Sequence, residues 1–184
     1  SSQVARLFWR GTSFPQKLAN KRLRTLFDLH CIDRHFPPVK EGSSKQHIVL
    51  DYAGARALKL ENFYKINELP LTYYHTVLVA EFRLQARLLG LPWGDTEKDL
   101  GPVKADIYYP DKRMAVEVDT GTETRETLTN KAQRYNRLQG ISLIFVTDGA
   151  PDRVDYILDR VYIPKAGGHF DNLKKFIKEI KRAS

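Results

Sequence analysis

The spacing of apolar and polar positions changes along the chain, and each change marks a different kind of element. In residues 17–29, Leu23, Leu26 and Phe27 share one helical face, with His30 beside it, while Lys17, Lys21, Arg22 and Arg24 occupy the remainder. Ser13 and Pro15 stand where a helix begins. Residues 31–36 then predict a strand, 37–45 a polar loop and 46–51 a second strand. Ahead of them, the apolar-rich run 3–9 breaks at Gly11-Thr12-Ser13, which predicts a first short helix. Residues 52–58 predict another short helix, and 61–71, with Pro70, a connector.

Beyond residue 72 the spacing describes an alternation of helices and strands. Val77, Leu78, Phe82, Leu84, Ala86 and Leu88 give 72–89 a broad apolar face that ends at Gly90 and Pro92. Residues 105–109 and 113–119 predict strands joined by a turn at Pro110-Asp111-Lys112. Helix is predicted for 124–138, and a strand for 141–146 that is apolar enough to be covered on both sides. Residues 152–161 predict a helix. In the last helix Phe170, Leu173, Phe176, Ile177 and Ile180 form a stripe opposite Lys174, Lys175, Lys178, Lys181 and Arg182, with Lys165 just before it. The sum is a mixed α/β (α+β) domain over 72–184, following a smaller unit over 1–60.

Charge sharpens this division. The 184 residues carry 30 Lys and Arg against 22 Asp and Glu, a formal +8. Residues 1–60 hold eleven basic against four acidic side chains, a net +7, so nearly all of the excess sits in the first unit. A basic helix followed by a hairpin is the order of the winged helix-turn-helix, in which the helix enters the major groove and the hairpin loop touches phosphates. Asn20, Lys21, Arg22 and Arg24, with Lys17 on the same helix, are the candidates for double-stranded DNA, and Lys40 and Lys45 for the wing. A basic helix that is simply a solvated face is the competing reading.

Several classes are excluded. No run approaches the roughly 18–20 apolar residues of a membrane span, and the N-terminus lacks a signal-peptide pattern. One cysteine, Cys31, permits no internal disulfide or zinc finger, and it fits a reducing cytoplasm.

Candidate chemistry lies in the second unit. Asp106 is on one strand of the predicted hairpin, Glu117 and Asp119 on the other, and two-residue spacing puts the latter pair on one face. Carboxylates in an apolar strand are costly unless paired or holding a cation. Three converging carboxylates predict a Mg²⁺ site for phosphoryl transfer, and a structural network neutralised by Lys131 or a nearby Arg is the alternative. Lys131 and Tyr135 share a face of the following helix, from which Lys131 can reach Glu117 or Asp119. Thr120 or Thr122 is expected to cap that helix, with Gly121 permitting the turn. Tyr108, Tyr109 and Tyr135 are read as packing or hydrogen-bonding residues rather than covalent nucleophiles, since no clustered histidines accompany them.

Arg22-Leu23-Arg24-x-Leu26, the segment Glu117-Val118-Asp119-Thr120-Gly121-Thr122-Glu123, and Lys131-x-x-x-Tyr135 resemble the replication-relaxation proteins of Gram-positive plasmids and integrative elements. The resemblance covers residues 7–138, and His75 stands where that family tends to place a histidine. It implies a role in plasmid or mobile-element replication, relaxation or transfer. Residues 72–184 also resemble the restriction-endonuclease-like fold, whose sites use an Asp and then Glu-x-Lys on the next strand. Asp106 and Glu117 match, whereas Asp119 stands where Lys is expected. The resemblance implies either that Lys131 supplies the lysine from the following helix, or that the pocket only binds DNA or a partner.

Three functions follow as expectations. One is a site-specific duplex-DNA binder acting in replication or transfer, as a homodimer on a palindromic site or beside replication and transfer proteins. Another is a Mg²⁺-dependent endonuclease or nickase using Asp106, Glu117, Asp119 and Lys131. The last is a winged-helix transcriptional regulator.

Overall fold

The computed structural model describes residues 11–29, 31–35, 47–50 and 73–183, together with Ala5 and Ala57. The chain divides into two compact units, residues 1–71 and 72–184.

In the first unit, helix α1 spans Pro15–Asp28. Proline in its first turn loses no hydrogen bond, because the N–H it lacks would have no partner there. Ala19 and Leu23 are buried, four residues apart on one side. Strand β1 (Ile32–His35) pairs antiparallel with β2 (His47–Leu50), in register from Ile32 opposite Leu50 to His35 opposite His47. The predicted wing loop, connector and most of the short flanking helices lie outside the described residues.

In the second unit, helix α2 (Tyr73–Leu88) precedes an antiparallel meander of β3 (Asp95–Asp99), β4 (Lys104–Tyr109) and β5 (Met114–Asp119). Helix α3 (Arg125–Tyr135) leads to β6 (Ser142–Thr147), parallel to β5. Helix α4 (Asp152–Leu158), strand β7 (Lys165–His169), parallel to β6, and helix α5 (Leu173–Ala183) complete the unit. The five strands form one mixed sheet in sequence order.

Side-chain alternation along the central strands builds two apolar layers. Val116 and Val118 of β5 and Ile144 and Val146 of β6 pack under α2 and α5. Ala115, Leu143 and Phe145 face the other way, against Leu128, Ala132 and Tyr135 of α3 and Ile157 of α4. Among the described residues no helix is long and apolar enough to cross a membrane.

Both edge strands escape the sequence pattern. Strand β3 reads DTEKD and is exposed throughout, a charged edge of the kind that discourages pairing with another chain. Strand β7 reads KAGGH. A Cβ on Gly167 would lie 2.5 Å from Val154 Cγ1, and one on Gly168 would lie 2.7 Å from the Phe176 ring. Those glycines let α4 and α5 approach the strand from opposite sides. Lys165, ahead of the last helix, begins this strand, and its Nζ donates to the Leu158 and Val161 carbonyls.

Candidate active site

The strand–turn–helix from β5 into α3 positions the chemistry. Thr124, not Thr120 or Thr122, caps α3: its Oγ1 accepts the Thr127 N–H at 3.1 Å. Thr120 and Thr122 instead hydrogen-bond to each other at 2.7 Å, because the turn runs two residues further before the helix begins. Gly121 has φ 82, and a Cβ there would come within 2.6 Å of Gly149 Cα. Only glycine lets the turns after β5 and β6 meet so closely.

Glu117 projects from β5 beneath α3 and is 2% exposed. Tyr135 donates its hydroxyl to Glu117 Oε1 at 2.5 Å, and Lys131 Nζ lies 2.8 Å from Oε2. These two helix residues are four apart, so one turn of α3 supplies both contacts. Lys131 also reaches Glu123 Oε1 at 3.0 Å. The other oxygen of Glu123, Oε2, is buried and takes no hydrogen bond.

Asp106 joins this group across the meander. The β4–β5 ladder pairs Ile107 with Val116, and Asp106 Oδ2 then accepts the Val118 N–H at 2.7 Å. A side chain thus closes the ladder. Opposite Asp106 on β3, Glu97 has φ 54 and drops out of the pairing there. His75, in the first turn of α2, places Nε2 3.1 Å from the same Asp106 oxygen.

Asp119 lies two residues beyond Glu117 on the same face, and its partners differ. Thr147, beside it in the parallel register, donates to Oδ2 at 2.6 Å. Arg153 of α4 grips both oxygens, Nε to Oδ2 at 2.6 Å and Nη2 to Oδ1 at 2.9 Å. A further bond from Arg153 Nη2 to the Glu123 carbonyl, at 2.8 Å, fastens the β5–α3 turn to α4. The predicted three-carboxylate group is therefore not assembled, because the Arg153 fork takes both Asp119 oxygens. Among the described residues no three His, Cys, Asp or Glu side chains come together to hold a metal.

Protonation follows these surroundings. Burial, then the charge of Asp106, pushes Glu117 up to about 7, against the opposing pull of Lys131 and Tyr135. Burial works against the Lys131 ammonium, but Glu117 and Glu123 outweigh it and hold Lys131 charged well above its usual range. Lys131 favours ionised Glu117 while burial favours the neutral acid. The neutral acid gains on balance, since the Glu117 side chain is withdrawn from water and shares the pocket with a second carboxylate. Asp119 goes the other way: burial would raise it, but hydrogen bonds from Arg153 and Thr147 hold it below the usual range. The hydrogen bond to Asp106 raises His75. Burial, with a hydrogen bond to Asp148, lifts Tyr74 to about 12.

Arg153, Thr147 and the Tyr74–Asp148 pair carry no signal in the sequence, whereas Glu123 closes the Glu117–Glu123 motif. Arg153 is 34 residues from Asp119, and only the parallel crossover brings them together. Tyr135 and Tyr109 are buried, and Tyr135 hydrogen-bonds Glu117 as a donor. In the first unit, Lys17, Asn20, Lys21, Arg22 and Arg24 are all exposed on α1, while Lys40 and Lys45 lie outside the described residues.

No curated protein and no solved structure matches the chain. Residues 1–147 match the sequence profile described as replication-relaxation, which takes in α1, the Asp106–Glu117–Lys131 group and strand β6. The chain belongs to the replication-relaxation family.

Proposed function

We propose that this protein binds double-stranded DNA of a plasmid or mobile element and acts there in replication or relaxation, through a winged-helix unit joined to a restriction-endonuclease-like domain. The observation that carries this reading is the convergence of Asp106, Glu117 and Lys131 on a helix, three-strand meander, helix and parallel strand. That order resembles the restriction-endonuclease-like fold, and the resemblance implies an acidic strand pair and a lysine acting on a phosphodiester. The exposed basic residues of α1 support the DNA half of the proposal, as side chains able to neutralise phosphates.

A second reading, a Mg²⁺-dependent endonuclease or nickase, is favoured by one contact: Lys131 Nζ lies 2.8 Å from Glu117 Oε2, so that the helix rather than the strand would supply the lysine. Mg²⁺ is commonly held by one or two carboxylates, several waters and the substrate phosphates. Asp106 and Glu117 fit that donor set, being hard oxygens close enough to repel one another, and Asp119 does not. Bound there, the cation would supply a polarised water and charge neutralisation at the phosphate. Lys131 would steady the phosphate charge, His75 would fix the Asp106 carboxylate, and Tyr135 would orient Glu117.

Supercoiled plasmid carrying candidate origins, incubated with the protein and Mg²⁺ or Mn²⁺, tests both. Nicked or linear product that disappears with Glu117→Gln is the result expected of the nuclease. No product with either metal overturns it. A retarded duplex whose affinity falls steeply with salt supports DNA binding, and a flat salt response rejects it.

A further inference from the structure

We infer that the outer face of α5 is a second contact for the phosphate backbone of duplex DNA, an inference that rests on the DNA-binding reading above. Its eleven residues carry five Lys or Arg against one Glu. Residues 72–172 carry thirteen against fifteen, so the positive charge of this unit is gathered on its last helix. At 3.6 residues per turn, Lys181, Lys174, Lys178, Arg182 and Lys175 fall in one arc of about 120°. All five are exposed. Leu173, Phe176, Ile177 and Ile180 fill the opposite arc and are buried in the core.

Helix stability does not account for this arrangement. Lys174 and Lys175 lie in the first turn, where the helix dipole disfavours cations and where the helix has no acidic residue of its own. Lys174 with Lys178, and Lys178 with Arg182, are like charges at i,i+4, which weakens a helix. Among the described residues Lys174, Lys175, Lys178 and Arg182 take no ion pair, while Lys181 is occupied by the Leu89 carbonyl at 2.8 Å. A row of mutually repelling, unpaired cations suits a polyanion. The row from Lys174 to Arg182 runs about 12 Å along the axis, and duplex DNA offers one phosphate charge per about 1.7 Å of its length. An anionic membrane is the poorer fit, because a surface-bound helix needs a free apolar face and that of α5 is buried. No base-reading geometry is involved, so the contact is with the backbone and independent of sequence.

The test uses the full chain, a fluorescent random-sequence duplex and a salt titration. The variant K174Q/K175Q/K178Q/R182Q should lose about tenfold or more in affinity at low salt, with the slope of log affinity against log salt falling by about 0.9 for each lost contact. K174R/K175R/K178R should keep wild-type affinity, which an effect on folding alone would not produce. Unchanged affinity and slope in the Gln variant, while Lys21→Gln with Arg22→Gln and Arg24→Gln weakens binding, would overturn the inference and leave DNA binding by α1 intact. A wild-type protein that ignores duplex DNA overturns both readings. One that ignores DNA but binds phosphatidylserine vesicles assigns the face to lipid and also overturns the inference.

Discussion

Glu117 and Asp119 sit two residues apart on one strand and one face, both almost wholly buried, yet they lie in opposite environments. Glu117 shares its pocket with Asp106 and is pushed up to about 7, whereas Asp119 is clamped by Arg153 and Thr147 and held low. Alternation along a strand determines which carboxylates look the same way. Partners from other elements determine what each can do. The Asp119 side has the form of a joint: one guanidinium fastens a strand end, a turn carbonyl and α4. The Glu117 side gathers two carboxylates, an ammonium, a phenol and an imidazole, several of them partly reachable from solvent.

The largest effect that would break this contrast is at the clamp. Arg153→Ala leaves Asp119 buried without its counter-charge and is expected to cost about 3 kcal/mol, read by urea denaturation. Lys131→Met should cost less, about 1–2 kcal/mol near pH 6, because Glu117 can take up a proton where Asp119 resists doing so. Equal losses would erase the distinction.

The pH dependence sharpens it. Glu117 titrates at about 7 in the folded protein and at 4.5 ordinarily, so the folded state holds a proton that the unfolded chain releases. Its stabilising contribution is full below pH 4.5 and is lost as pH rises to about 7. His75, raised above 6.5 by Asp106, adds in the same sense: its contribution is present below 6.5 and lost as pH climbs through the folded value. Melting temperature against pH should therefore decline more steeply across this window in the wild type than in Glu117→Gln. The smallest expected effect is at the turn between the two sites. Thr124→Ala should cost about 1 kcal/mol through loss of the cap, and Thr122→Ala should stay within about 0.5 kcal/mol.

Much of this arrangement is legible in the sequence, and the rest is not, for physical reasons. Helices α2, α3 and α5 and strand β4 follow from periodicity, because each buries a regular stripe, while β5 and β6 follow from short apolar runs that are buried on both faces. The edge strands give no such signal: β3 is polar on both faces, and β7 relies on glycines whose value lies in what packs over them. At the site, Glu117, Asp119, Lys131 and Tyr135 are readable from two- and four-residue spacings, which are local. Asp106 with His75, and Asp119 with Arg153 and Thr147, depend on sheet register and crossovers that no local pattern encodes. For that reason three carboxylates look like one group in sequence and are two in the fold.

The most direct test follows the side-chain carboxyl ¹³C resonances of Asp106, Glu117 and Asp119 by NMR through a pH titration. Glu117 titrating near pH 7, with Asp119 titrating below the ordinary carboxylate range, is the predicted result. Glu117 and Asp119 titrating together at ordinary values, or in reversed order, would contradict it.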